Sequence, residues 1–270
     1  MSRYALLAAL AVLLAGCSGI VGSETSETVT PAPVPTDEAQ YPPGITADRV
    51  VAEALVDAHV RSLTTTNYTL TTRQTVRLED GTVLRQTNQT KAVAPDAEAY
   101  RGHFAVQSNT FRTGQEASEI SYWSNRSVIA TRYTSLAQRA PEFRQWSVEG
   151  EAPVTDLTDE RYLEGYLAGV EAEPTRRTAD GGVVLVGNDV RDQSRIVVPI
   201  IVEEPRNVSL QLRVRYDGVV LAGRVTYDAT HNGFPVTVDR EMRITDVGST
   251  TVERPPWVAN ASTRRQSGTS

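Results

Sequence analysis

Cysteine and lysine are almost absent from this 270-residue chain: each occurs once, as Cys17 and Lys91. A single cysteine excludes internal disulfides, zinc–thiolate sites and iron–sulfur clusters. A single lysine among 27 basic residues leaves arginine as nearly the sole cation. Phenylalanine (4) and methionine (2) are scarce, and no apolar run approaches the roughly 20 residues of a membrane-spanning helix. A basic stripe is also missing. The formal net charge is −6 and the acidic surplus is spread along the chain, which argues against nucleic acid as a partner. The enzyme signatures G-x-S-x-G, H-E-x-x-H, Walker A and G-x-G-x-x-G do not occur. No calcium-loop pattern is found, and His59, His103 and His231 stand at no ligand spacing, so neither a metal nor another cofactor is expected.

What is present starts with a leader. Arg3 gives a positive start, Ala5 to Leu14 form a short uncharged apolar stretch, and Ala15-Gly16 precede Cys17. Residues 1–16 therefore read as a signal peptide. Leu14-Ala15-Gly16-Cys17 resembles the lipobox of secreted lipoproteins at all four positions. The resemblance implies that the Cys17 thiol receives a lipid and that the leader is cut just before it. Without an Arg-Arg pair in the leader, general secretion is the expected route to the outer face of the cytoplasmic membrane.

Residues 17–40 are rich in Ser, Thr, Glu and Pro with few large apolar side chains, the composition of a disordered tether. Residues 259–270 read as a disordered tail. The chain as a whole is 40% apolar and 22% charged, ordinary for a globular fold, and 41–258 read as one domain. The acidic, lysine-poor, threonine-rich surface is that of a salt-adapted protein, where excess negative charge favours solubility. A GC-rich genome, which favours Arg codons, accounts for the lysine count as well. Five of eight asparagines lie in Asn-x-Ser/Thr, namely Asn67, Asn88, Asn125, Asn207 and Asn260. Chance predicts roughly one or two, so these are candidate glycosylation sites of an exported protein.

Periodicity predicts a helix over Thr46–Leu63, capped by Thr46, and a second within 155–170, capped by Asp156 or Thr158, with Leu163, Tyr166, Leu167 and Val170 on one stripe. Elsewhere the pattern alternates. Val208, Leu210, Leu212, Val214 and Tyr216 share one phase, as do Val219, Leu221, Val225 and Tyr227, then Val236, Val238, Met242 and Ile244. Asp-Gly pairs at 80–81, 180–181 and 217–218 mark hairpin turns. The expected fold is α+β: a curved antiparallel sheet, a half-barrel-like meander, with two main helices packed on one face. Leu210, Leu212, Val214, Leu221, Val225 and Val238 are the candidate lining of a cavity on its concave side. The apolar run Ile196–Glu204 is read as part of the core, and the cluster Asp156, Asp159 and Glu160 as solvated surface.

The lipobox, the polar tether and the segment Pro42-Pro43-Gly44, Ala54-Leu55, Ala58-His59, Leu63 and Tyr68 resemble haloarchaeal cell-surface lipoproteins of uncharacterised function. The order of elements is similar to that of LolA/LppX-like lipoprotein carriers, whose half-barrel sheet wraps an apolar cavity closed by helices. The resemblance implies a membrane-anchored, non-enzymatic binding domain for an apolar small molecule or lipid, or for an envelope protein. A purely structural surface lipoprotein with a filled core, and an exported hydrolase, are the alternatives.

Overall fold

The computed structural model describes residues 41–110, 114–147 and 156–263. The leader, Cys17 and the tether lie outside the described residues. The helices are α1 (Ala52–Thr64), α2 (Glu160–Gly169) and α3 (Val258–Thr263). The strands are β1 (Tyr68–Leu78), β2 (Val83–Val93), β3 (Ala99–Thr110), β4 (Gly114–Asn125), β5 (Val128–Ser135), β6 (Glu142–Ser147), β7 (Val170–Arg177), β8 (Val183–Val190), β9 (Glu203–Val214), β10 (Val220–His231) and β11 (Phe234–Thr245). All eleven form one antiparallel sheet in the order β6-β5-β4-β3-β2-β1-β11-β10-β9-β8-β7. The sheet is open, since β6 and β7 are its two edges. The fold is α+β and mostly β, as the alternating pattern predicts.

Two meanders make this sheet. The first runs outward from the centre, β1 to β6; the second starts at the opposite edge and runs inward, β7 to β11. They join where β1 pairs with β11, from Thr69↔Thr245 to Leu78↔Val236. Each meander is preceded by a helix, and α1 and α2 pack against the same face, which we call the inner face.

The three Asp-Gly turns share one geometry. Leu78, Thr178 and Arg215 each donate an amide to the residue four places on, at 2.8–2.9 Å, and accept from the glycine amide, at 3.0–3.1 Å. These are three-residue loops with a glycine bulge, which need positive φ at the glycine; Gly81, Gly181 and Gly218 have φ of 86°, 78° and 89°. The third turn also seats α1, because Ser62 Oγ donates to the Asp217 carbonyl at 3.1 Å.

Several boundaries differ from the sequence reading. Helix α1 starts at Ala52, not Thr46. Pro42-Pro43-Gly44 turns the chain, Ile45 bridges Val50, and the Val51 amide reaches the Gly44 carbonyl at 2.7 Å. Thr46 instead bonds Asp48 and the Arg49 carbonyl. Tyr216 leaves the inward phase because β9 ends at Val214, and it stands exposed in the turn. Strand β6 and helix α3 carry too little apolar periodicity to announce themselves. Helix α3 lies where the tail was expected to begin. Its Val258 and Ala261 are buried against Trp123 and Ala130, with Phe143 and Trp257 alongside, on the outer face of the first meander.

The run Ile196–Glu204 is a loop as far as Val202, and its last two residues open β9. Ile196 and Val202 enter the core, while Ile200 projects at 94% exposure. The loop seats on α2 through Gly165 and Gly169, where a Cβ would meet Val197 at 2.6 Å and Ile196 at 2.8 Å. No helix among the described residues is long and apolar enough to cross a membrane.

Candidate functional site

Two regions of the inner face differ in how they are covered. Below α1 and α2, the inward side chains of β9 to β11 and β1 form a continuous core. Val208, Leu210, Leu212, Val214, Val225, Tyr227, Val236, Val238, Leu70 and Val76 are all buried there. Five of the six residues expected to line a cavity, Leu210, Leu212, Val214, Val225 and Val238, are in this packed layer, and Leu221 is packed partly against it. The helices fill the space that the sequence reading assigned to a cavity.

A hollow on this face lies elsewhere, over the opposite ends of β2 to β5. It encloses about 600 Å³ and is lined by Val106, Ala117, Tyr133 and Leu136 on its apolar side. Arg85, Ser108, Glu116, Ser118 and Ser135 give it a polar side. The register explains the set: Arg85↔Ser108↔Glu116 and Val106↔Ser118↔Ser135 are inward rows crossing the first meander. None of the six predicted lining residues borders this hollow.

At the middle of the sheet, a four-residue segment leading into α2 is pinned residue by residue. Lys91 Nζ on β2 donates to the Asp156 carbonyl. The Tyr68 hydroxyl on β1 donates to the Leu157 carbonyl at 3.3 Å. His59 Nε2 on α1 donates to the Thr158 carbonyl at 2.9 Å. One Arg240 guanidinium nitrogen on β11 reaches both Asp159 carboxylate oxygens at 2.5 and 2.7 Å. Arg240 also stacks on Tyr162, 3.7 Å from the ring centroid. Asp159 sits at φ 69°, left-handed for a non-glycine residue, and Asp156 Oδ1 receives the first helical amide, Glu160 N, at 3.0 Å.

The chemistry of this junction is structural. His59 accepts the Val220 amide on Nδ1 at 3.0 Å, which places the proton on Nε2 and leaves the ring neutral with both nitrogens occupied. Burial pushes its pKa down; the Thr158 bond and nearby carboxylates push the other way. Burial likewise lowers Lys91, against the pull of Asp156 and Asp159. Asp159, read from sequence as solvated surface, is buried with Arg240, because a guanidinium on the inward phase of β11 requires a carboxylate. Lys91 and Arg240 are the site residues that apolar periodicity passed over. Their signal was a charge in an apolar phase: Lys91 two residues from Val93, Arg240 between Val238 and Met242.

The other histidines lie apart. His103 Nδ1 is 3.3 Å from Ser121 Oγ on exposed neighbouring strands of the outer face. His231 bonds the Ile201 carbonyl through Nδ1 at 2.6 Å and faces the Asn232 amide through Nε2. Among the sequons, Asn67 uses its amide on the Thr250 carbonyl at 2.6 Å, Asn125 holds its turn by accepting from Ser127 and Val128, and Asn207 bonds Asp228 at 2.8 Å. Asn88 is half-buried on the outer face and Asn260 is exposed on α3. Among the described residues, no group of three His, Cys, Asp or Glu is placed to hold a metal ion.

No family model matches the chain, and no curated protein matches it. Solved structures similar to it include a DUF1329 family protein from Desulfovibrio piger, at 10% identity over 78% of this chain and 98% of that one, with a TM-score of 0.28. A β-barrel-like protein of the domain of unknown function DUF1849 from Brucella abortus matches at 6% identity over 68% of this chain and 98% of that one, with a TM-score of 0.24.

Proposed function

We propose that this chain is a lipoprotein held at the outer face of the cytoplasmic membrane through Cys17, and that its domain is a non-enzymatic binding module for an amphiphile. The observation that carries the ligand reading is the hollow of about 600 Å³ on the inner face. Its volume lies in the range of small-molecule sites. Val106, Tyr133 and Leu136 suit an apolar body, and Arg85, with the serines of β3 to β5, suits a polar head. The expected likeness to LolA/LppX-like carriers belongs to this reading, with the hollow moved to the first meander.

A second reading, an interaction lipoprotein for an envelope partner, is favoured by the filled core under α1 and α2. Hydrolase chemistry has less support. His103 and Ser121 meet on exposed strands, neither borders the hollow, and no described carboxylate bonds His103.

The ligand reading is tested with full-length Cys17→Ser protein, secreted without an anchor from a salt-adapted host and examined by native mass spectrometry. A co-purifying lipid-sized mass is expected, and Val106→Trp is expected to expel it. Wild-type-like protein without any adduct would sink this reading in favour of the interaction module. Intact-mass analysis of the unaltered protein tests the anchor: it should begin at a lipid-modified Cys17, and an unmodified mature Cys17 would refute it.

A further inference from the structure

We propose that the outer face of the sheet carries an oxyanion site, suited to a phosphoryl or sulfo group, in a hollow floored by Ala222. This hollow encloses about 370 Å³, and its lining includes Arg176, Arg213, Arg224 and Arg243 but one carboxylate, Glu241. Four guanidiniums against one carboxylate is a local inversion of a chain whose net charge is −6.

The register builds the cluster. Arg213, Ala222 and Arg243 are directly opposite one another on β9, β10 and β11. With strands ~4.8 Å apart, the two arginines flank Ala222 at roughly 10 Å between their backbones. Arg224 follows two residues along β10 on the same face, and Arg176 enters the row through Val184 on β8. Ala222 is the small side chain among them, so the hollow exists where a larger residue would fill it.

The cationic groups are only partly neutralised. Asp180 reaches Arg213 through one contact at 3.3 Å. Asp239 takes Arg224 at 2.7 and 3.2 Å, with Glu241 at 3.8 Å. No carboxylate within 4.0 Å of the Arg176 or Arg243 guanidinium is found among the described residues. Arg213 and Arg224 side chains remain 53% and 56% exposed, so their surface pairs are weak competitors for a multiply charged anion. Guanidinium forks match tetrahedral oxyanions two oxygens at a time, which distinguishes this hollow from a diffuse positive surface. The site lies on the face opposite the proposed amphiphile hollow and does not depend on that reading.

Calorimetric titration of full-length Cys17→Ser protein with inorganic phosphate, at roughly 50 mM ionic strength so that screening is limited, tests the proposal. Saturable binding is expected, about fivefold or more weaker in Arg243→Ala, as for loss of one charge-assisted contact. Ala222→Leu keeps every charge and fills the floor, and should weaken binding similarly. Arg126→Ala, in the exposed β4–β5 turn, removes the same charge elsewhere and should leave it unchanged. Absence of saturable binding, an unaffected Arg243→Ala, or an equal loss in Arg126→Ala overturns the site. A flotation arm separates the sources of the anion, using phosphatidylcholine vesicles with and without about 30% phosphatidylglycerol. Flotation that requires the anionic lipid and Arg243 assigns the site to a lipid headgroup; phosphate binding without flotation assigns it to a soluble oxyanion.

Discussion

The inner faces of β9 and of β4–β5 differ: β9 turns Val208, Leu210, Leu212 and Val214 inward and is core, whereas β4 and β5 turn Glu116, Ser118, Tyr133 and Ser135 inward and border a hollow. On β9 every inward residue from Val208 to Val214 is buried. On the first meander, Tyr122 and Ile129 are buried, while Ile120, Tyr133 and Ser135 farther along are half-open. Alternation decides which side chains share a face, and their polarity together with a covering element decides whether that face becomes dry. Two helices of 13 and 10 residues cannot cover eleven strands. The pinned segment Asp156–Asp159 fixes where the second helix begins, and thereby how far the cover extends.

Breaking that pin should have the largest effect. Asp159→Ala leaves Arg240 buried without its carboxylate and should cost about 3–5 kcal/mol, read as a lowered denaturation midpoint in urea. Retention of wild-type stability would show that α2 is held by its apolar stripe alone. Next, Leu210→Ala should cost about 2–5 kcal/mol by leaving a cavity in the covered half. Val106→Ala, in the open half, should cost less than about 1 kcal/mol because the removed methyl groups already border a hollow. Equal losses would erase the distinction between the two regions.

His59 gives a pH test of the covered half. Its folded pKa lies below the ordinary histidine value, so the unfolded chain binds the extra proton first. The His59 contribution is therefore complete above about pH 6.5 and is lost as pH falls below it. His59→Gln should lower stability at pH 7.5 and flatten the decline between pH 7 and 5, measured by urea titrations at each pH. An unchanged slope would mean that His59 is not the group responsible. The smallest effect is expected at Ile200→Ser, within about 0.5 kcal/mol, since this side chain is 94% exposed at the loop tip.

Much of the sheet was legible because its information is local. Asp-Gly hairpins, period-two alternation and the apolar stripe of α2 each act within a few residues. The core list built from β9 to β11 was recovered nearly whole, but its use was not: Leu210, Val214 and Val238 carry the same pattern whether they line a cavity or meet a helix. Asp159 looked like any acidic surface residue, because its partner Arg240 is 81 positions away in the chain. The outer-face arginines were equally opaque, since each arginine strand reads as an ordinary solvated phase until the register sets Arg213, Ala222 and Arg243 side by side.

By itself the sequence determined an antiparallel α+β domain behind a polar stretch and a lipobox-like Cys17, with no disulfide framework available to it. Those properties follow from composition and short-range pattern. The tertiary structure decided that the two meanders join through β1 and β11, that the helices close one half of the inner face, and that the chain's single lysine lies inside the fold. These depend on contacts between residues distant in sequence, where burial of one charge is set by the position of another.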